Sequence, residues 1–97
     1  MKRPRRRKDR TMSRQHHYLE CETYYFQEAE RGVKSFEVRL NDRDYRVGDM
    51  VYLQESVNGK LTGRELQGKE ILFVLESTWN GIEKGYCVFQ LEERTGQ

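Results

Sequence analysis

Apolar and charged residues alternate from Phe36 to Leu40, with Phe36, Val38 and Leu40 on one side and Glu37 and Arg39 on the other. A period of two predicts a β-strand in which one face builds a core while the other presents an acid and a base. Residues 16–21 alternate more weakly and read as a first strand, with His17, Leu19 and Cys21 together and Tyr18 opposite them. Between these strands the period changes. Thr23 suits a helix N-cap, Tyr25, Phe26 and Ala29 make an apolar stripe, and Gly32 suits the left-handed position that ends a helix. A helix of roughly two to three turns is therefore predicted, running through about Arg31.

Beyond Leu40 the pattern stays β. Val47-Gly48-Asp49 is a turn signal ahead of Met50-Val51-Tyr52-Leu53-Gln54, and Asn58-Gly59 is a favoured type I′ hairpin dipeptide. With Gly63 placed in the same loop, residues 50–57 are expected to pair antiparallel with a strand starting near Arg64. The run Ile71-Leu72-Phe73-Val74-Leu75 is apolar on both faces, as a central strand at the heart of a core would be. Residues 79–85 read as a loop, and residues 86–91 as the closing strand with Cys87, Phe89 and Leu91 inward. Five to six short strands and one early helix predict a mainly β (α+β) domain, a small β-barrel flanked or plugged by the helix. Closure would remove the exposed edges of so small a sheet.

Composition splits the chain in two. Residues 1–17 hold eight Lys or Arg against Asp9, a balance of +7, whereas residues 18–97 hold ten bases and fifteen acids, a balance of −5, giving the overall +2. The segment around Arg5, Arg6, Arg7 and Lys8 has no apolar residue to bury, so residues 1–15 are expected to be a disordered basic arm and residues 16–94 a single domain. Such an arm suits non-specific phosphate contact, each neutralised phosphate releasing counterions. Ninety-seven residues leave no room for a second core. No apolar run approaches the roughly 18 residues of a membrane span, so the expected setting is the cytoplasm. Cys21 and Cys87 show no CxxC spacing, and His16 and His17 point to opposite faces of a strand, so neither a metal site nor a cofactor is predicted.

The residues that carry chemistry lie around the first alternation. Gly32-Val33-Lys34-Ser35-Phe36-Glu37-Val38-Arg39 resembles the G-x-K-x-x-E-x-R signature of the ASCH superfamily, a PUA-like β-barrel group. The continuation Asn41-Asp42-Arg43-Asp44-Tyr45, with Val47-Gly48-Asp49 and Gly85-Tyr86-Cys87-Val88, is similar more narrowly to the bacterial and phage subfamily DUF3850. The resemblance spans about residues 17–92. It implies a cleft beside the helix into which Lys34, Glu37 and Arg39 project, and a role in binding RNA or a modified nucleoside or nucleotide.

Each group has a job in such a cleft. Lys34 offers an ammonium for phosphate or a carbonyl oxygen, provided that the strand begins after it, since it otherwise shares the parity of Phe36. Arg39 offers a planar fork for phosphate or a base edge. Glu37 suits an exocyclic amine, or general-base work if desolvated. Asp42 and Arg43 read either as turn chemistry with a salt bridge or as further ligand contacts. Trp79 and Tyr86 either cap the barrel core or stack a nucleobase.

Some relatives in this superfamily are amidohydrolases that deacetylate N4-acetylcytidine with a Lys, a Thr and a later Glu. Here Lys34 is kept, Glu37 stands where that Thr would be, and Glu76 and Glu83 both qualify as the later carboxylate. The missing hydroxyl favours a binding module over an enzyme. A third possibility is an accessory protein of a phage or mobile element that acts by contacting another protein.

Overall fold

The computed structural model describes residues 13–78 and 80–93. The elements run β1 (His16–Glu22), α1 (Thr23–Glu30), β2 (Phe36–Leu40), β3 (Met50–Val57), β4 (Lys60–Glu65), β5 (Lys69–Glu76) and β6 (Tyr86–Glu93). They form one mainly β unit with a single short helix. Trp79 and the arm residues Arg5, Arg6, Arg7 and Lys8, expected to touch nucleic acid, lie outside the described residues.

All six strands join one sheet in the order β1-β3-β5-β6-β2, with β4 attached to β3 off that path. β1 runs parallel to β3 along its whole length, while β2, β5 and β6 pair antiparallel. β3 pairs with β5 only at Met50 and Val51 and with β4 from Gln54 onward, so the sheet bends where β3 changes partner.

The expected closure into a barrel is not made, because β1 and β2 stand at opposite ends of the strand order. Arginine side chains span the seam instead. Arg39 Nη2 donates to Glu20 O at 2.9 Å and Arg43 Nη1 donates to Tyr18 O at 3.2 Å, both carbonyls belonging to β1. A guanidinium group reaches farther than a backbone ladder and satisfies edge acceptors without requiring strand register.

The core follows the two clean alternations. Leu19 and Cys21 from β1 and Cys87, Phe89 and Leu91 from β6 are buried together with Phe26, Ala29, Tyr45, Val51, Leu53 and Ile71. The helix contributes Phe26 and Ala29, while Tyr25, expected in the same stripe, is exposed. It begins one residue after Glu22 with no side-chain cap, and the Thr23 hydroxyl donates to Glu55 Oε2 at 2.6 Å instead. The predicted glycine end is observed: Gly32 has φ +80° and its N–H bonds Ala29 O, while Val33 N–H bonds Glu28 O. These two bonds form a Schellman motif, which requires the left-handed residue.

Two further expectations are corrected in the hairpin and in β5. Asn58 and Gly59 both have positive φ and form the predicted turn, but β4 begins at Lys60 rather than near Arg64, with Gly63 inside the strand. A two-residue loop lets pairing start at Val57 and Lys60. β5 is central in the order, yet only Ile71 of its apolar run is buried, and Leu72, Phe73 and Leu75 face outward. α1 lies near β1 and β3, and among the described residues no element covers the outer side of β5.

The largest correction concerns β2. Phe36, Val38 and Leu40, expected in the core, are 46%, 54% and 51% exposed, whereas Glu37 is 3% exposed. The ladder supplies the reason: Glu37 pairs with Phe89 and Arg39 with Cys87, so they share the inward face of β6. Strand periodicity separates two faces but does not choose which one turns inward; cross-strand register does.

Candidate functional site

A short turn after α1 delivers the first cation. The Schellman bonds end the helix, Lys34 N–H bonds Glu28 O at 3.1 Å, and β2 begins only at Phe36. Lys34 therefore escapes the parity of the strand, as its proposed role requires. Its Nζ sits 2.6 Å from Glu37 Oε2 and 2.7 Å from Phe36 O. The same ammonium lies 5.1 Å from the Phe36 ring centre and 5.9 Å from that of Tyr25, within cation–π range.

Arg39 meets the other carboxylate oxygen. Its Nε and Nη2 lie 3.0 and 2.9 Å from Glu37 Oε1, and Nη2 also serves Glu20 O. Three of the roughly four lone-pair sites of Glu37 are thus filled by cations. A carboxylate this deep persists in charged form only when paired and hydrogen-bonded, which the two cations achieve. The triad carries one net positive charge.

Beside it lies a cavity of about 460 Å³ lined by Lys34 and Ser35, by Lys69 at the start of β5, and by Glu30, Glu92 and Glu93. Lys69 was not anticipated. It precedes the buried Ile71 by two residues, so the parity of β5, carried one step earlier, points it inward. Its Nζ donates to Ala29 O at 3.3 Å, covering a carbonyl near the helix end. Both lysines thus line one cavity, which Glu37 and Arg39, expected to project into the cleft, do not line, and Cys21 is buried within electrostatic range of Lys34, Glu37, Arg39 and Lys69. Burial first, and the Glu37 charge second, push its thiol up, which keeps it protonated and poorly nucleophilic.

The remaining expected site residues are not brought to this cluster. Asp42 is exposed, its N–H turned to Leu40 O, and Arg43 is spent on the β1 edge. Tyr86 pairs with Leu40, so its side chain stands on the outer face, opposite to Glu37. Glu76, one candidate for the later carboxylate, pairs with Cys87 in the β5–β6 ladder, and Glu83 is exposed in the loop before β6.

Two further polar groups are buried that sequence reading missed. His17 Nε2 lies 2.9 Å from Asp49 Oδ2, and the Asp49 carboxylate also accepts from the backbone N–H groups of Gln15 and Arg46. The Tyr45 ring packs 4.8 Å from His17 and 4.5 Å from Phe89, and burial pushes its phenol up. Glu55 accepts from the hydroxyls of Thr23 and Thr62, which hold its carboxyl below the ordinary value. The His17–Asp49 and Thr23–Glu55 contacts each join residues 32 apart in sequence, so no local pattern announces them. Among the described residues no group of three or more His, Cys, Asp or Glu is placed to hold a metal, and no helix is long and apolar enough to cross a membrane.

Comparison with known families finds a match to DUF3850, described as a domain of unknown function, over residues 16–91, from the first residue of β1 into β6. Comparison with curated proteins finds no match.

Proposed function

The chain belongs to the DUF3850 family, and on that premise we propose that it is an RNA- or nucleotide-binding module of the PUA-like ASCH type, using the cavity beside Lys34. The carrying observation is that Lys34 and Lys69 both line a cavity of about 460 Å³, large enough for a nucleotide-sized ligand. Two ammonium groups suit a phosphate, each as a compact, mobile point charge. Glu37 is then a positioning residue, its carboxylate fixing Lys34 and Arg39, rather than a base that must approach a substrate. Glu30, Glu92 and Glu93 line the same cavity and offer acceptors for the hydroxyls or exocyclic amines of a nucleotide, while the lysines take its phosphate. The basic segment before residue 13 adds sequence-independent attraction, which answers the acidity of the rest of the chain. A cytoplasmic setting in a bacterium or phage-infected cell goes with this reading.

The second reading is hydrolysis of an acylated nucleoside such as N4-acetylcytidine. Ser35 lines the same cavity as Lys34, so a serine stands near an ammonium even though Glu37 occupies the position of the family's Thr. Binding of fluorescent single-stranded RNA and of nucleotides, followed by anisotropy, tests the first reading. Lys69→Met and the paired change Lys34→Met/Glu37→Gln, which leaves no orphan carboxylate, are each expected to weaken binding about tenfold, the loss of one charged contact. Unchanged affinity in both variants overturns the cavity assignment, and turnover of N4-acetylcytidine by the wild type would favour the hydrolase.

A further inference from the structure

The second face of β2 is as unusual as the first. While Glu37 turns inward, Phe36, Val38 and Leu40 stand outside, and the ladders continue their rows across two more strands. Phe36, Gln90 and Phe73 form one row; Val38, Val88 and Leu75 form the next; Leu40 and Tyr86 begin a third. None of these eight side chains is charged, in a chain whose residues are 35% charged. The contrast within the sheet is sharp, because exposed β4 reads Lys60-Leu61-Thr62-Gly63-Arg64-Glu65, an ordinary solvated surface.

Phe73 is 58% exposed and Val38 54%, and no described element covers either of them. With aromatic side chains of 150–250 Å² and about half of each apolar group in water, the face amounts to on the order of 500 Å². That lies toward the upper end of the apolar patches that monomers carry, and such patches mark interaction sites.

We propose that the outer face of β2, β6 and β5 is a homodimer interface, packed against the same face of a second copy of this chain. The rows hold no charge and the carboxylates Glu70 and Glu92 border them at one end, so a nucleic acid or an acidic peptide finds no favourable partner there, whereas an identical face matches the rows in area and apolar chemistry. A two-fold axis lying between the sheets and along β6 places β2 of one copy over β5 of the other. Val38 then meets the Leu75 of the second copy, Phe36 meets Phe73, and Val88 meets its own equivalent. Face-to-face sheets pack in this way at about 10 Å with interdigitated side chains. Two such faces remove on the order of 1,000 Å² from water, the lower bound for a specific interface, so the dimer forms reversibly with concentration. The cavity is lined by residues of α1, the turn before β2 and the ends of β5 and β6, and by none of the eight side chains of the rows, so the inference does not depend on what that cavity binds.

The test is sedimentation velocity of the full chain from about 1 to 300 µM, a range in which a weak dimer assembles. The expected result is a shift from a mass of 11.7 kDa toward twice that value as concentration rises. Amide resonances of residues 36, 38, 40, 73 and 75 should move on dilution, a readout that requires no variant. Val38→Glu and Phe73→Glu, at positions outside the core, should leave the far-ultraviolet circular dichroism intact and abolish the mass shift. A single-chain mass throughout, dilution shifts confined to other strands, or a dimer indifferent to both substitutions each overturns the proposal.

Discussion

Glu37 sits beneath a sheet where a hydrophobic residue is the usual occupant, and what makes it tolerable is a cation on each carboxylate oxygen. The cluster is asymmetric in its consequences: removing one cation leaves the buried carboxylate poorly matched, whereas removing the acid with Arg39 leaves only Lys34, whose ammonium keeps solvent contact and the Phe36 carbonyl. Arg39→Met is therefore expected to cost about 2 kcal/mol, less than for a fully buried pair because Lys34 and Arg39 keep some solvent contact. Adding Glu37→Leu to Arg39→Met should restore most of that loss. Urea unfolding of the single and double variants measures both, and a double variant less stable than Arg39→Met would contradict this account. The charged types of this cluster are plain in the sequence, but their inward direction is not. Alternation places Glu37 and Arg39 on one side of β2, and only pairing with Phe89 and Cys87 makes that side the interior.

The helix and its exit are set by short-range chemistry. Gly32 is the residue that lets α1 stop and Lys34 swing under β2, since the Schellman bonds at Ala29 O and Glu28 O need its left-handed backbone. A Cβ added there meets nothing within 4 Å, so Gly32→Ala carries only the backbone penalty, about 1 kcal/mol. Thermal unfolding should register that modest loss. Any ligand affinity that depends on Lys34 should fall further than stability does, because the ammonium shifts with the turn. Equal affinity in Gly32→Ala would separate the turn from the site. The glycine end of α1, the Asn58-Gly59 turn and the inward sets of β1 and β6 were legible because each rests on dihedral preference or on a clean two-residue period. Lys69 escaped notice because the apolar run after it drew the strand's start to Ile71, two residues late.

At the scale of the molecule, charge and apolar area are sorted onto separate surfaces. The inward side of β2 carries the ion-paired cluster beside the cavity, its outward side carries the uncharged rows, and the sequence before residue 13 carries seven Lys or Arg between residues 2 and 10. If that segment contributes phosphate contacts, RNA binding by the full chain must depend on salt more steeply than binding by a chain starting at residue 13. Each contacted phosphate adds about 0.7 to the slope of log K against log salt for a single strand. Identical slopes for the two chains would remove the segment from the interaction. The open sheet belongs to this scale too: Arg39 and Arg43 hold the β1 edge by side-chain bonds where a barrel would have used backbone pairing.

The sequence by itself determined the early helix with its glycine end, the Asn58-Gly59 turn, the inward sets of β1 and β6, and the split between a basic segment and an acidic remainder. These follow from periodicity, from the φ preferences of glycine and asparagine, and from counting charges, all of which act over a few residues. The tertiary structure decided which face of β2 is buried, that the sheet stays open, that His17 meets Asp49, and that Lys69 joins Lys34 at a cavity. Each of those outcomes depends on cross-strand register between residues far apart in the chain. A one-residue choice of pairing exchanges inside for outside along a whole strand, and no local pattern of side chains specifies it.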